Sequence, residues 1–237
     1  MIFYDKEGKP YSFNISKDDY FDYGSTSKVY RINSDECLKV MDKDSVMYFK
    51  EELYDEIKSL SLDSLVKLSI PFYQDGKIKA YTMEYLEKSK KSILDMHTEY
   101  LLDNLHSLYK DILVLAKHLI VTSDLYHRNI VIGDSGIKLI DFDGYLKMSF
   151  DGDILKQNIL KQNIAYLLYA FKRLFQEELI AKGFELNDVF WNNMTRNKYL
   201  NYLFDCNGYK EEPAKVLERK MIGTKTPMEL FDRKWNK

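Results

Sequence analysis

The sequence predicts an α+β fold with two lobes: a small antiparallel β lobe that holds one helix (residues 1–86), and a larger, mainly helical lobe (residues 87–237). Two observations lead to this prediction. The first half contains short apolar runs bounded by turn residues, such as the run after Asn33–Asp35, a pattern typical of β-hairpins. The second half contains two long apolar stripes at helical spacing, over residues 100–120 and 154–175.

Composition and charge limit the class of protein. Of 237 residues, 45% are hydrophobic and 30% are charged, so the chain can bury a sizeable core. The net charge of −2 gives no reason to expect nucleic acid or an anionic membrane as the main partner. The N-terminus lacks the build of a signal peptide, and the apolar run Ile112–Val121 is too short to span a bilayer, so no membrane insertion is expected. With only Cys37 and Cys206, we expect a cytoplasmic protein without disulfides or a Cys and His metal cluster.

The first lobe begins with a loop and a strand that carry polar groups. The loop contains one glycine, Gly24, followed by three hydroxyl side chains that could offer donors to an anion: Ser25, Thr26 and Ser27. After the predicted hairpin turn comes the apolar strand Cys37–Met41, which is interrupted by a single lysine, Lys39. A lone lysine in a strand is more often a solvated residue at a sheet edge, so Lys39 by itself does not indicate a site.

A helix and a further strand follow. Apolar residues recur at helical spacing over residues 45–60, and Glu56 lies on the inner face of this helix, with Glu52 one turn earlier. A glutamate there could pair with Lys39. The run Ile78–Leu86 predicts a strand that leads into a connector between the lobes.

The second lobe contains the stretch with the clearest chemistry. Asp124 and Asn129 stand between short apolar runs, and Asp141 follows twelve residues after Asn129, directly after another short run. Three oxygen-bearing side chains should therefore lie at one loop edge. Phosphoryl transfer needs a carboxylate that orients the attacking hydroxyl and hard oxygen ligands for Mg²⁺.

Taken in order, these segments resemble those of protein-kinase-like phosphotransferases, the superfamily of eukaryotic-like Ser/Thr kinases and aminoglycoside phosphotransferases. The resemblance implies a bilobal protein-kinase-like fold, with residues 1–86 as the ATP-binding lobe and residues 87–237 as the catalytic lobe. It also implies ATP and Mg²⁺ (or Mn²⁺) as cofactors, and a protein or small-molecule hydroxyl acceptor as the partner.

The resemblance assigns roles to individual residues. Asp124 would be the catalytic base, and Lys39 would bind the α- and β-phosphates while pairing with Glu56, or with Glu52 as the fallback. Asn129 and Asp141 would hold the metal. Met83 would be the gatekeeper beside the adenine, and the full nucleotide-binding set would be Gly24, Ser25, Thr26, Ser27, Val29, Cys37, Lys39, Met83, Glu84 and Leu86.

The chain also departs from the family pattern. Asp22 and Ser27 stand where glycines of the loop are expected, and Thr122 and Ser123 replace the usual His and Arg before the catalytic Asp. Without that arginine, activation by phosphorylation is not expected. Asp143 replaces the glycine after Phe142, which gives an Asp-Phe-Asp sequence.

The segment after Asp141 is short. Only residues 142–152 precede the helix expected near Asp153, and no Ala-Pro-Glu follows, so a full activation segment is excluded. We therefore expect the acceptor to be chosen by a surface near three residues of the helical lobe: His127, Arg128 and Tyr145. His127 or Arg128 could also supply the charge of the lysine that the family often has where Tyr126 stands.

These features predict an ATP- and Mg-dependent phosphotransferase, in the first place a compact serine/threonine-type protein kinase. A small-molecule kinase for a sugar, an aminoglycoside or a lipid precursor is the alternative, because the segment after Asp141 is short. A nucleotide-binding pseudokinase is the third possibility, because the glycine-rich loop is degraded.

Overall fold

The structure, a computed structural model, describes residues 1–16, 19–23, 27–42, 50–87, 92–133, 136–186 and residue 226. Within these ranges the strands are β1 (Ile2–Tyr4), β2 (Pro10–Ser12), β3 (Tyr20–Tyr23), β4 (Ser27–Arg31), β5 (Glu36–Met41), β6 (Leu68–Gln74), β7 (Lys77–Glu84), β8 (Ile120–Val121), β9 (Ile130–Gly133), β10 (Gly136–Leu139) and β11 (Leu146–Lys147). The α-helices are α1 (Glu51–Ser59), α2 (Thr98–Lys117) and α3 (Asp153–Ala181), and short 3-10 helices span Ile93–Asp95 and His127–Asn129.

The first seven strands form one antiparallel sheet in the order β2-β1-β6-β7-β5-β4-β3. The later strands form two small antiparallel pairs, β9 with β10 and β8 with β11. The predicted α+β class is therefore confirmed, with the large sheet at the start of the chain and the long helices after it. The predicted boundary between residues 86 and 87 stays a prediction.

The hairpin between β4 and β5 forms at the turn that the sequence indicated. The side-chain oxygen of Asn33 accepts the backbone N–H of Asp35 at 2.8 Å, and the N–H of Ile32 donates to the carbonyl of Glu36 at 3.0 Å. An asparagine that accepts from the residue two positions later stabilises a tight turn. This turn sets the register of β5 and therefore the face on which Lys39 lies.

The helices bury the apolar stripes that predicted them. Helix α1 buries Leu53, Tyr54 and Ile57, and the predicted start of this helix at residues 45–49 lies outside the described residues. Helices α2 and α3 bury the stripes of the second half, at Leu101, Leu105, Leu108, Ile112, Leu115, Ile159, Ile164, Leu167, Leu168, Phe171 and Phe175. Apolar residues spaced three and four positions apart lie on one side of a helix, which here faces the core.

One apolar core joins the sheet to the helices. It contains side chains from β5 and β7 of the sheet together with buried residues of all three helices. A second cluster, built around Phe72, covers the opposite face of the sheet with aromatic rings from the N-terminal segment, at Phe3, Tyr11 and Phe13. Both faces of the central strands are thus packed, which fixes the side chains that project from them.

No helix among the described residues is long and apolar enough to cross a membrane. Apart from residue 226, the chain from residue 187 onward lies outside the described residues.

Candidate active site

Lys39 projects from the central strand β5 into the interior. Only 2% of the residue is exposed. Its backbone lies directly opposite Val29 of β4 and Tyr81 of β7, so the three side chains stand in a row on one face of the sheet. A buried ammonium group requires negative partners, and Lys39 finds them far along the chain.

Those partners are two aspartates of the segment after β10. The ammonium nitrogen of Lys39 donates to the carboxylate of Asp141, which is 102 positions away, and lies 2.7 Å from Oδ2 of Asp143. The other oxygen of Asp143, Oδ1, accepts the hydroxyl of Tyr81 at 2.6 Å. The sheet and the Asp-Phe-Asp segment therefore meet in a buried, charged cluster.

The backbone of this segment is held in a sharp turn. Asp141 has a left-handed conformation with φ of 62°, and the N–H of Tyr145 donates to the carbonyl of Phe142 at 3.0 Å. Phe142 is fully buried, and its ring centroid lies 6.3 Å from each of the rings of Tyr81 and Tyr145. A positive φ at a non-glycine residue is strained and persists where surrounding contacts fix it, often at functional sites. The buried Phe142 ring is such a contact.

The charged groups of the cluster shift one another's pKa values. Burial would lower the pKa of Lys39, but the carboxylates of Asp143 and Asp141 outweigh burial and raise it. Burial raises the pKa of Asp141, and nearby Asp143 raises it further, while Lys39 opposes both. Lys39 therefore stays charged, which suits a group that binds phosphate.

The loop of Asp124 is anchored from α3. Asn163 is fully buried, and its Oδ1 accepts the backbone N–H of Thr122 at 2.9 Å, while its Nδ2 donates to the carbonyl of Ile120 at 2.9 Å. The amide Nδ2 of Asn129 then donates to the carbonyl of Asp124 at 2.8 Å. These bonds hold both ends of the loop and therefore the backbone that carries the Asp124 side chain.

Asp124 lies beside the Asp-Phe-Asp segment. The hydroxyl of Ser123 donates to the carbonyl of Gly144 at 2.6 Å. Burial raises the pKa of Asp124, and the charges of Asp141 and Asp143 raise it further. Asn129 is bonded to the backbone of Asp124, and the charge of Asp141 acts on Asp124, so the loops that carry these three residues are neighbours.

The expected ion pair between Lys39 and Glu56 is not formed, and this part of the prediction is wrong. Both oxygens of Glu56 face other partners: Nζ of Lys147 lies 2.6 Å from each of them, and Nδ1 of His118 lies 3.0 Å from Oε1. Glu52, the fallback, is exposed on α1. The helical pattern correctly predicted that Glu56 faces inward. The groups that it meets there are Lys147 of β11 and His118 at the end of α2, and not Lys39.

The expected nucleotide-binding residues fall into two groups. Gly24, Ser25 and Thr26 lie outside the described residues. Among the others, Ser27 and Cys37 are buried, Val29 is half-buried opposite Lys39, and the thiol of Cys37 approaches the carbonyls of Met83 and Glu84 at 3.6 and 3.7 Å. Val29 is thus in the same row as Lys39, and Cys37 lies two residues before Lys39 on β5.

The connector begins where β7 ends. The backbone N–H of Glu84 donates to the carbonyl of Lys67, and that of Tyr85 donates to the carbonyl of Asp35, so β7 stays tied to its neighbours as far as Tyr85. Leu86 follows and is half-buried. A pocket of about 250 Å³ beside this connector is lined by Glu84, Tyr85, Leu86, Glu87, Gly133, Gly136 and Lys138. It does not include Lys39 or Asp141, so it is separate from the charged cluster.

Two expectations about the acceptor surface need correction. Tyr145 was expected at that surface, but it is 98% buried behind Phe142 because its ring packs into the core. His127 is mostly buried and lies 2.8 Å from the carboxylate of Glu177 on α3, whereas Arg128 and Tyr126 are exposed. Only Arg128 of the two candidate cations is therefore open to solvent.

Several residues of the site were not predicted to belong to it. Asp143 and Tyr81 bind or orient Lys39, Asn163 anchors the loop, and Gly144 adjoins Asp124. The sequence did offer one signal, because the second aspartate of Asp-Phe-Asp is an acid in a position where glycine was expected. No sequence signal indicates Asn163, which stands in the middle of an apolar helical stripe.

The donor set fits a divalent cation. Asp141 and Asp143 contact the one ammonium of Lys39, and Asp124 lies near both carboxylates, so the cluster keeps an excess of negative charge. Asn129 uses its Nδ2 as a donor, which leaves its carbonyl oxygen for a hard cation. Among the described residues, no group of three or more His, Cys, Asp or Glu could hold a metal ion by itself. Mg²⁺ commonly binds through one or two carboxylates plus substrate phosphates, so this finding is compatible with the expected ligands.

No protein-family model matches the chain, and a search of curated proteins also finds no match.

Proposed function

We propose that the protein is an ATP- and Mg-dependent phosphotransferase of protein-kinase-like fold. One observation carries the proposal: Lys39 of the sheet contacts Asp141, while the loop of Asp124 and Asn129 lies against the same segment. A phosphate-binding cation, a base and two oxygen ligands are the parts that phosphoryl transfer from ATP requires. These residues follow one another along the chain in the order of the protein-kinase-like phosphotransferases that the sequence resembles.

Each residue has a defined task in this proposal. The Asp124 carboxylate orients the acceptor hydroxyl and receives its proton as transfer proceeds, and the Lys39 ammonium binds phosphate oxygens. Asn129 and Asp141 would hold the divalent cation, which supplies neutralisation of phosphate charge when bound. The raised pKa of Asp124 makes it a better proton acceptor than an ordinary aspartate.

The adenine and the phosphates of ATP have different expected sites. The adenine would lie by the connector, near Met83, Glu84 and Leu86, with Cys37 and Val29 packing on it. The loop from Gly24 to Ser27 would cover the phosphates. The apolar side chains of Cys37 and Met83, which are buried, support this placement of the adenine, because an adenine ring binds against apolar groups.

We favour a serine or threonine hydroxyl of a protein as the acceptor. The exposed side chains of Tyr126 and Arg128, next to the loop of Asp124, offer a mixed apolar and cationic surface that suits a protein. A small-molecule kinase is the second candidate. It is supported by the short stretch of residues 142–152 before α3, which leaves little chain for a peptide platform.

The test is a transfer assay with purified protein, labelled ATP and Mg²⁺, offered a lysate that has been divided into protein and metabolite fractions. Label in a protein band that requires Asp124 supports the first candidate. Label in a metabolite supports the second. ATP binding without label in either fraction, at a level no higher than that of Asp124→Asn, would contradict the phosphotransferase and leave a nucleotide-binding pseudokinase.

A further inference from the structure

Asp143 stands where no acid was expected, and it contacts the buried Lys39. Resting on the proposed function, we infer that Asp143, oriented by Tyr81, is the positioning residue that holds Lys39 for phosphate binding, in the place that Glu56 was expected to fill. Asp143 then has a task that a glycine at this position could not perform.

The first step is the geometry of β5 and β7. Lys39 and Tyr81 are direct cross-strand partners, so their side chains leave the sheet on the same face. Lys39 Nζ lies 2.7 Å from Oδ2 of Asp143, and the Tyr81 hydroxyl lies 2.6 Å from Oδ1. Because each oxygen has its own partner from the rigid sheet, the carboxylate cannot rotate without losing one of them.

The second step is that Glu56 is committed elsewhere. Lys147 contacts both of its oxygens, and the same ammonium also donates to the carbonyl of His118 at 2.6 Å. The ring of His118 completes the group at Oε1. Glu56 therefore belongs to a closed network that joins α1, the end of α2 and β11, and Lys39 is not part of it.

The third step separates Asp143 from Asp141. Asp141 also contacts Lys39, but it is the carboxylate that the proposed function assigns to the cation. A carboxylate that also binds a metal cation attracts a buried ammonium less strongly, because its negative charge is divided between the metal and the ammonium. Asp143 gives Lys39 a second negative partner, and only 15% of its side chain is exposed, so this attraction is weakly screened.

Two substitutions divide the contribution of Asp143 into charge and orientation. Asp143→Asn keeps the shape and an acceptor for Tyr81 but loses the charge. Tyr81→Phe keeps the charge but loses the bond that orients it. Glu56→Gln tests the residue that was expected in this role, and Asp95→Asn, which removes an exposed pair with Lys182, is the matched control.

The kinetic readout is the split between KM for ATP and kcat. Losing one charged hydrogen bond should reduce kcat/KM for ATP by about 100-fold in Asp143→Asn, largely through KM, and by roughly tenfold in Tyr81→Phe. Glu56→Gln should change it by less than about threefold, because its network does not reach Lys39. Asp143→Glu, which restores the charge, should recover part of the loss.

A second readout needs no nucleotide. The melting temperature is measured for Asp143→Asn, for Lys39→Met and for the double variant, and the same cycle is made with Glu56→Gln. Removing both members of a contacting pair should cost clearly less than the sum of the single losses, whereas Lys39→Met and Glu56→Gln should be additive. If Asp143→Asn alone does not fold, the double variant and Tyr81→Phe still supply the comparison.

The outcomes separate the two proposals. Coupling between Lys39 and Asp143, together with a larger loss of kcat/KM in Asp143→Asn than in Glu56→Gln, supports the inference. An active wild-type enzyme in which Glu56→Gln is as damaging as Asp143→Asn would overturn the inference and leave the proposed function standing. A wild-type protein that neither binds ATP nor transfers phosphate would overturn both, whatever the melting temperatures show.

Discussion

Gly144 lies so close to Asp124 that no larger residue fits in its place. A Cβ atom at position 144 would stand 2.5 Å from Cβ of Asp124 and 2.8 Å from its Oδ2. Contacts below 3.0 Å do not occur between such atoms, so either the loop of Asp124 or the Asp-Phe-Asp segment would have to move. The glycine thereby fixes the distance between the proposed base and the proposed metal ligands.

Gly144→Ala should therefore lower the rate of phosphotransfer. A displacement of about 1 Å near a reacting group can cost on the order of 100-fold in rate, and we expect at least about a tenfold loss of kcat. The measurement is steady-state transfer beside the control Gly152→Ala, where an added Cβ meets nothing within 4 Å. Equal rates in the two variants would show that the close contact does not matter for catalysis.

Asp124→Asn should keep ATP binding and lose turnover. The side chain acts on the acceptor hydroxyl, so its charge affects the chemical step more than nucleotide affinity, and the loss of kcat should be about 100-fold or more. Binding is measured by calorimetry and turnover by transfer of label. A variant that transfers phosphate at the wild-type rate would exclude Asp124 as the base.

ATP with Mg²⁺ should stabilise the fold. At about 100 times the dissociation constant the free energy of unfolding rises by ~2.7 kcal/mol, which corresponds to roughly 5 to 10 °C in melting temperature for a chain of this size. Asp141→Asn should lose most of this shift, since it removes a charged ligand of the expected cation. Thermal denaturation with ATP, with Mg²⁺ and with both is the measurement, and an undiminished shift in Asp141→Asn would contradict the metal assignment.

Glu56→Gln should destabilise the protein near neutral pH and less so in acid. Burial alone would raise the pKa of Glu56, but bonds from Lys147 and His118 outweigh it and lower the pKa below its ordinary value of 4.5. A lowered folded-state pKa contributes stability that is complete above the unfolded pKa and disappears as the pH falls through the folded one.

The expected loss for Glu56→Gln near neutral pH is about 1 to 2 kcal/mol, measured by urea denaturation. The difference from wild type should shrink as the pH is lowered below 4.5. Glu52→Gln, an exposed change on the same helix, is the control and should cost little at any pH. A loss that stays constant with pH would mean that the charge of Glu56 contributes nothing.

The proposed phosphotransferase should be active as synthesised. Only residues 142–152 lie between Asp141 and α3, and Leu146 and Lys147 of this stretch pair with β8. This stretch therefore contains no long loop that phosphorylation could order. Phosphatase treatment should leave the rate unchanged, and arrays of random short peptides should be poor acceptors compared with a folded protein or a metabolite. A large rate increase after phosphorylation within 142–152 would contradict this expectation.

Much of the architecture was determined by the sequence alone, because it depends on local pattern. Spacing at three and four residues defined the buried stripes of α2 and α3, and Asn33 with Asp35 defined the turn that sets the register of β5. The grouping of Asp124, Asn129 and Asp141 was also predictable, since each follows or precedes a short apolar run.

The partner of Lys39 was decided only by the tertiary structure. The sequence places Glu56 on an inner face, but an inner face does not specify which charge it meets. Packing brings Lys147 and His118 to Glu56, and brings Asp143 to Lys39 from more than 100 positions away along the chain. Ion pairs between distant segments depend on how helices and sheet dock on a shared core, and that docking is set by the whole set of apolar contacts, which no local pattern contains.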